Sequence, residues 1–180
     1  FERTIRDGKK LIYLDSGATS QKPQVVIDAE IDFYKLHNAA AHRGAHQLAE
    51  EATELFEESR EIVAKFLGAD AREIVFTKGA TESLNLLAYS LSNAEPDSRF
   101  AIGPEDTIVV SEMEHHANLI PWQQLAKRSG ATLKWFSVTS DGRLDESNID
   151  SLITDKTKIV AITQQSNVLG TINNLDQIIK

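Results

Sequence analysis

Short apolar runs alternate with longer amphipathic stretches through most of the chain. Four runs are typical of strands, and they are Ile74 to Thr77, Thr107 to Val110, Thr132 to Ser137 and Ile159 to Thr163. The spacing of apolar residues between them predicts helices that end near Leu91, that span Asn118 to Ser129, and that lie near Asp145 to Ile153. Strands that alternate with helices predict βαβ units and a largely parallel sheet.

The first part of the chain has a different pattern. Residues 1–10 are mostly charged or polar, and a short extended apolar run covers Leu11 to Leu14. Apolar residues then recur at helical spacing from Pro23 to Leu36. A long amphipathic helix is predicted from His46 to Phe66, and Gly68 is a suitable residue to end it.

Composition limits the class of protein and its partners. The 180 residues are 41% hydrophobic and 26% charged, which is typical of a soluble globular protein with one core. A net charge of −8 disfavours nucleic acid and anionic membrane as partners. There is no cysteine, no membrane-length apolar run and no signal-peptide pattern, so we expect a cytoplasmic location. The chain lacks an initial Met and ends within a predicted helix, so we also expect a fragment.

Polar clusters follow three of the predicted strands, at the sheet edge where α/β folds bind ligands. They are Gly79 to Glu82, Glu114 to Asn118 and Ser166 to Gly170. The first could bind an anion through free backbone N–H groups and the Thr81 hydroxyl, although most such turns are simple helix caps. In the third, Asn167 could offer an amide to a ligand, or serve only as a turn residue.

The adjacent histidines His115 and His116 offer an aromatic ring for stacking and a group that titrates near neutrality. Alternatively, one caps the next helix and the other is solvated. A metal site that combines them with His42 and His46 is disfavoured, because no Glu adjoins His42 as metalloprotease helices require and no cysteine is available.

Five strings of residues, in order along nearly the whole chain, carry a family resemblance. They are Tyr13 to Pro23, Ala41 to His46, Phe76 to Asn85, Glu112 to Asn118 with Pro121-Trp122-Gln123, and Ser166 to Thr171. Together they resemble the class V branch of fold-type I pyridoxal-phosphate enzymes, most closely the SUF-type cysteine desulfurases.

The resemblance implies an α/β fold, with this chain as the N-terminal part of a large, mostly parallel seven-stranded sheet domain. Residues 1–20 would form an arm and a substrate-side turn, and residues 21–180 the first part of the cofactor-binding domain. In that topology the strand Ile74 to Thr77 pairs with a strand outside this chain. We therefore expect an unpaired apolar edge and poor folding of the piece alone.

The resemblance also implies site residues around pyridoxal 5′-phosphate. Ala80 and Thr81 would bind the phosphate. His115 would stack on the pyridine ring and relay protons, as the catalytic residue of this chain. Asn167 would donate to the phenolic oxygen and lie near the substrate carboxylate.

Substrate-side or partner-subunit roles are implied for Ala18, His42 and Arg43. Close relatives often carry a histidine where this chain has Gln164, which affects only the surroundings of the site.

The implied reaction removes sulfur from L-cysteine, giving L-alanine and an enzyme-bound persulfide for iron–sulfur cluster assembly. Family members are homodimers that pass the sulfur to an acceptor protein of the SUF system. The Schiff-base lysine, the acid that pairs with the pyridine nitrogen, the nucleophilic cysteine and the carboxylate-binding arginine lie outside these 180 residues, so the chain alone is expected to be inactive. Alternatives are a lyase for selenocysteine, cysteine sulfinate or kynurenine, and a non-catalytic partner-binding module.

Overall fold

The structure is a computed structural model, and it describes residues 3–179. The chain divides into two compact units, of which the first ends at Phe76 and the second begins at Thr77. We call them the N-terminal unit and the C-terminal unit.

A three-stranded parallel sheet is the centre of the C-terminal unit. Its strands β1 (Thr107–Ser111), β2 (Thr132–Phe136) and β3 (Thr157–Ala161) lie in the order β2-β1-β3. In the register, Ile108 of β1 lies opposite Leu133 of β2 and Ile159 of β3. The predicted parallel arrangement is confirmed for these three strands.

Helices of the C-terminal unit connect the strands and surround them. They are α3 (Ala80–Ser92), α4 (Ile120–Ser129), α5 (Ile149–Leu152) and α6 (Leu175–Ile178), with 3-10 turns at His116–Asn118 and Glu146–Asn148. Helix α3 packs against α4 and against the turn His116–Asn118. The predicted helix from Asn118 therefore begins two residues later, and Pro121 occupies its first turn, a position that proline tolerates.

The central strand sends alternate residues to opposite faces of the sheet. Ile108 and Val110 belong to a core cluster with Trp122 and Leu125 of α4, whereas Val109 belongs to a second cluster with Phe136. All five residues of β1 are buried. Both faces of this strand are therefore covered.

The N-terminal unit is helical. Helix α1 (Gln24–Asp32) continues as a π-helical turn Phe33–His37, α2 spans Gln47–Leu67, and 3-10 turns lie at Arg6–Gly8 and Ala71–Glu73. Gly68 ends α2 in the left-handed region, with φ 69° and ψ 29°. This confirms Gly68 as the end of the long helix, since a residue with a Cβ is disfavoured there.

The strand predicted for Ile74 to Thr77 is wrong. These residues belong to no strand in the structure, and Val75 is 68% exposed. A strand needs a neighbour to complete its hydrogen bonds, and within residues 3–179 none pairs with this run. The free sheet edges in the described chain belong instead to β2 and β3.

None of the helices within residues 3–179 combines the length and apolar character that crossing a membrane requires. The same residues contain no cluster of three or more His, Asp or Glu side chains arranged to hold a metal ion.

Candidate functional site

The start of α3 carries Ala80 and Thr81, the predicted phosphate-binding residues. Gly79 precedes the helix with φ 157° and ψ 176°, a conformation that only glycine adopts readily. No described residue accepts a hydrogen bond from the N–H groups of Ala80 and Thr81, and both residues are exposed. The positive end of the helix dipole therefore points at an open position, as anion binding requires.

His115 follows β1 and precedes the turn His116–Asn118. Its Nδ1 atom accepts a hydrogen bond of 3.0 Å from the backbone N–H of Ala117. The neutral ring therefore carries its proton on Nε2. The ring is exposed and lies 6.4 Å from the ring of His116, at a 55° tilt, so its faces are not stacked on its neighbour. The capping alternative is thus correct for this histidine, and it leaves the ring available to a ligand.

A buried carboxylate supports this loop. Glu114 Oε1 accepts hydrogen bonds from the Ser111 hydroxyl and, at 2.8 Å, from the backbone N–H of Thr163. Glu114 Oε2 accepts from Asn118 Nδ2 at 2.7 Å, and Asn118 Oδ1 accepts from Trp122 Nε1 at 2.9 Å. The carboxylate thereby connects the ends of β1 and β3 with the start of α4.

Asn167 lies on the exposed turn that follows β3. The turn is closed by the Ser166 hydroxyl, which accepts from the N–H groups of Val168 and Leu169, and by an antiparallel bridge between Gln165 and Ile172. The side-chain amide of Asn167 has no hydrogen-bond partner among residues 3–179. It is therefore available to bind a ligand oxygen.

A cavity of about 440 Å³ lies between the loop that follows β1 and the turn that follows β3. Its walls are the segment Glu112 to Glu114 after β1, the turn residues Ser166, Val168 and Leu169, and Val138 after β2. The predicted clusters after β1 and β3 therefore meet at one edge of the sheet. The cluster at Gly79 follows no strand. Helix α3, which begins in this cluster, contacts the His116–Asn118 turn, and both belong to the C-terminal unit.

The predicted substrate-side residues lie in the N-terminal unit. Ala18 is exposed in a turn, where its N–H donates to the carbonyl of Asp15. His42 has a φ of 61°, and its Nε2 lies 2.9 Å from Glu57 Oε1 of α2. Arg43 is exposed and makes no ion pair within residues 3–179. The structure thus gives His42 a partner within its own unit and leaves the implied roles of all three as predictions.

Sequence reasoning missed the hydrogen bonds that connect Glu114, Asn118 and Trp122. A signal was present, because these polar or amphipathic residues recur at intervals of four, and Ser111 stands three residues before Glu114. Such spacing places side chains on one face of a helix, or across the start of one. What the sequence does not reveal is the burial of the Glu114 carboxylate, which is only 9% exposed.

The chemistry of the donors fits a phosphorylated pyridine cofactor. Backbone N–H groups and the Thr81 hydroxyl suit a phosphate, an exposed imidazole suits an aromatic ring, and the Asn167 amide suits a phenolate oxygen.

Comparison with known proteins agrees with this chemistry. The family model "Aminotransferase class-V" matches residues 12–180. The chain is 53% identical over 99% of its length to a "Probable cysteine desulfurase" of Streptomyces coelicolor, and 49% identical over 97% to a "Cysteine desulfurase" of Dickeya dadantii. It covers 43% and 41% of those proteins, so the chain spans about two fifths of the length of these curated relatives.

A solved cysteine desulfurase structure also matches this chain. An apo cysteine desulfurase from Thermococcus onnurineus superposes with a TM-score of 0.82 at 42% identity, over 93% of this chain and 40% of that one. The chain therefore has the fold of the corresponding part of fold-type I pyridoxal-phosphate enzymes, as the resemblance implied.

Proposed function

The chain belongs to the aminotransferase class-V family, and we propose that the complete protein is a cysteine desulfurase. Members of the family are pyridoxal-phosphate enzymes. The proposed enzyme transfers the sulfur of L-cysteine to a protein thiol, which becomes a persulfide, and releases L-alanine. This chain has no cysteine, so the proposal places that thiol in polypeptide beyond these 180 residues. It also places the lysine that holds the cofactor there, because no lysine of this chain lies in the motif that the family resemblance implies.

One observation carries the proposal. Within one compact unit, the N–H groups at the start of α3 and the amide of Asn167 lack partners among the described residues, and the exposed ring of His115 uses only Nδ1, which accepts from the Ala117 N–H. These groups are exposed at a helix start and on the loops that follow β1 and β3, so they are available to bind a ligand. The names of the relatives indicate which reaction that ligand serves.

Each residue has a separate task in the proposal. Ala80 and Thr81 bind the phosphate, and Asn167 orients the ring by donating to its phenolic oxygen. His115 lies against the ring face, where Nε2 holds the proton that the reaction moves. Pyridoxal phosphate, when bound, supplies the electron sink for cleavage of the carbon–sulfur bond.

The finer expectations belong to the same proposal. These are Ala18, His42 and Arg43 near the substrate or a partner subunit, a homodimer, a cytoplasmic location, and a SUF-type acceptor that takes the sulfur for iron–sulfur cluster assembly. Residues 1–20 serve as the arm and residues 21–180 as the first part of the cofactor domain.

The test uses the complete polypeptide, at the length of the relatives, incubated with pyridoxal phosphate and then with L-cysteine. We expect visible absorbance from the bound cofactor and formation of one alanine for each sulfur transferred. Absorbance without alanine would reject the desulfurase and leave a different family reaction. The same assay with L-selenocysteine and cysteine sulfinate identifies a related lyase, and the absence of cofactor absorbance would favour the non-catalytic binding module.

A further inference from the structure

We propose that Glu114 is a positioning residue that holds His115 in its place over the cofactor. The inference rests on the proposed function, because it concerns the same site. Glu114 itself points into the protein and is 9% exposed, whereas His115, the next residue, is exposed.

The carboxylate is held by hydrogen bonds rather than by a cation. Its donors are the Ser111 hydroxyl, the Thr163 backbone N–H and Asn118 Nδ2. Within residues 3–179, no Lys, Arg or His forms an ion pair with it. A buried carboxylate is costly unless its oxygens are satisfied, so all three donors are needed to keep it in this position.

Glu114 at one end of the network and Trp122 at the other fix which group donates in each hydrogen bond. Glu114 can only accept when ionised, and the Trp122 indole N–H can only donate. Asn118 between them must therefore turn its NH₂ group to Glu114 and its oxygen to Trp122, as the distances of 2.7 and 2.9 Å show. One orientation of the Asn118 amide satisfies all of the groups.

This network fixes the backbone on either side of His115. The bond between Glu114 and Asn118 spans the intervening residues, and the backbone N–H of Asn118 donates to the carbonyl of His115 at 2.8 Å. Through the Thr163 N–H, the same carboxylate also holds the segment that leads from β3 to Asn167. Glu114 therefore joins the two loops that carry the proposed ring-binding residues.

The polarity argument supplies a reciprocal test. In Glu114→Gln, the new NH₂ group faces a donor in either orientation of the amide, the NH₂ of Asn118 or the N–H of Thr163. Turning Asn118 over would set its NH₂ against the Trp122 N–H. In Asn118→Asp, two carboxylates face each other. In the double variant E114Q/N118D, the new amide donates to the new carboxylate, which still accepts from Trp122. The double variant keeps the net charge and restores every hydrogen bond.

The complete polypeptide is measured first without cofactor, by thermal unfolding and by NMR of ¹³C-labelled histidine, and then by titration with pyridoxal phosphate. We expect each single variant to move the His115 ring signals and to weaken cofactor binding about 10-fold, the usual effect of losing a charged hydrogen bond. The double variant should return the His115 signals toward their wild-type positions. Its cofactor affinity should be within about threefold of wild type.

Leu144→Ala is the matched control, because Leu144 is buried in the other core cluster with Phe136. It should lower the unfolding midpoint while leaving the His115 signals and the cofactor affinity unchanged. Single variants that behave like this control, or a double variant no better than the sum of the singles, would overturn the inference while the wild type still binds cofactor. A wild type that binds no pyridoxal phosphate would instead reject the proposed function, and the role of Glu114 toward the cofactor with it.

Discussion

At the scale of single residues, Thr81 offers two groups to an anion. Its N–H is one of the unpaired donors at the start of α3, and its hydroxyl has no partner among residues 3–179. We expect Thr81→Ala in the complete protein to weaken pyridoxal-phosphate binding about 10-fold, the effect of one lost hydrogen bond to a charged group. Absorbance titration measures this loss.

The controls for Thr81 separate the hydroxyl from the helix. Thr81→Ser keeps the hydroxyl and should bind nearly as the wild type does. Ser92→Ala removes a hydroxyl at the far end of the same helix, and it should have no effect. Equal affinities for Thr81→Ala and wild type would show that the phosphate lies elsewhere.

His115 combines an aromatic face with a proton-carrying nitrogen, and substitution can separate the two. His115→Phe keeps a flat ring, so we expect cofactor affinity within about threefold of wild type, whereas kcat should fall by about 100-fold or more because the proton donor is lost. His115→Ala removes the ring and the nitrogen, so both cofactor affinity and kcat should fall. Steady-state kinetics beside a cofactor titration gives both quantities.

His116→Phe is the matched change on the neighbouring ring, and it should leave kcat and affinity near wild type. A His115→Phe enzyme with normal kcat would exclude His115 as the proton donor.

The roles of Thr81, His115 and Asn167 toward the cofactor stay predictions. As candidates, these residues were visible in the sequence, because a threonine, a histidine and an asparagine in polar turns carry recognisable chemistry. Glu114 was not, because burial of a carboxylate depends on donors from three separate segments, and only folding brings Ser111, Thr163 and Asn118 to one point.

At the scale of elements, Gly79 sets the direction in which α3 begins. Its φ of 157° and ψ of 176° lie in a region that costs residues with a Cβ about 1–3 kcal/mol. We expect Gly79→Ala to destabilise the protein by that amount and to weaken cofactor binding, since the donors of Ala80 and Thr81 would turn away. Denaturant unfolding and a cofactor titration measure the two effects.

Gly103→Ala is a suitable control, because an added Cβ there meets no atom within 4 Å and the backbone is not in the left-handed region. If Gly79→Ala and Gly103→Ala have the same stability and the same cofactor affinity, the backbone conformation of Gly79 does not set the direction of α3.

The 3-10 turn before α5 has a cap that titrates. The Ser147 hydroxyl and then its backbone N–H donate to Asp145, and they lower the pKa of that carboxyl. A folded pKa below the unfolded value, about 3.9, stabilises the protein above that value, and the contribution is lost as pH falls through the folded pKa. We expect Asp145→Asn to lower the unfolding midpoint at pH 7, with a difference from wild type that vanishes in acid.

Asparagine can still accept from the backbone N–H, so this variant tests the charge alone. A midpoint difference that stays constant from neutral to acid pH would contradict the assignment. Asp150→Asn, in the adjoining helix α5, is the comparison.

Elements were predictable where local pattern and tertiary context agree. The strands at Thr107, Thr132 and Ile159 and the long helix ending at Gly68 appear close to their predicted positions. The run Ile74 to Thr77 has the same apolar pattern but no strand beside it within the described chain. A strand is a paired structure, so periodicity alone could not decide that case.

At the scale of the whole molecule, many large apolar side chains of residues 3–179 are exposed. Leu14, Phe66 and Val168 expose 89%, 87% and 81% of their area, and the outer edges of β2 and β3 are unpaired within residues 3–179. Such surfaces and edges mark places that other polypeptide covers. Together with a span of about two fifths of the relatives' length, they favour a protein in which more chain completes this sheet.

We therefore expect the 180-residue chain, expressed alone, to bind a hydrophobic dye such as ANS, to self-associate in gel filtration and to unfold without a cooperative transition. The complete polypeptide should bind little dye and unfold cooperatively, because the same apolar side chains are then covered. Pyridoxal phosphate should raise the unfolding midpoint of the complete form alone, since a ligand stabilises only a state that binds it. A 180-residue chain that is monomeric, binds no dye and unfolds cooperatively would contradict this expectation. The exposed apolar side chains and the edges of β2 and β3 would then need no further polypeptide to cover them.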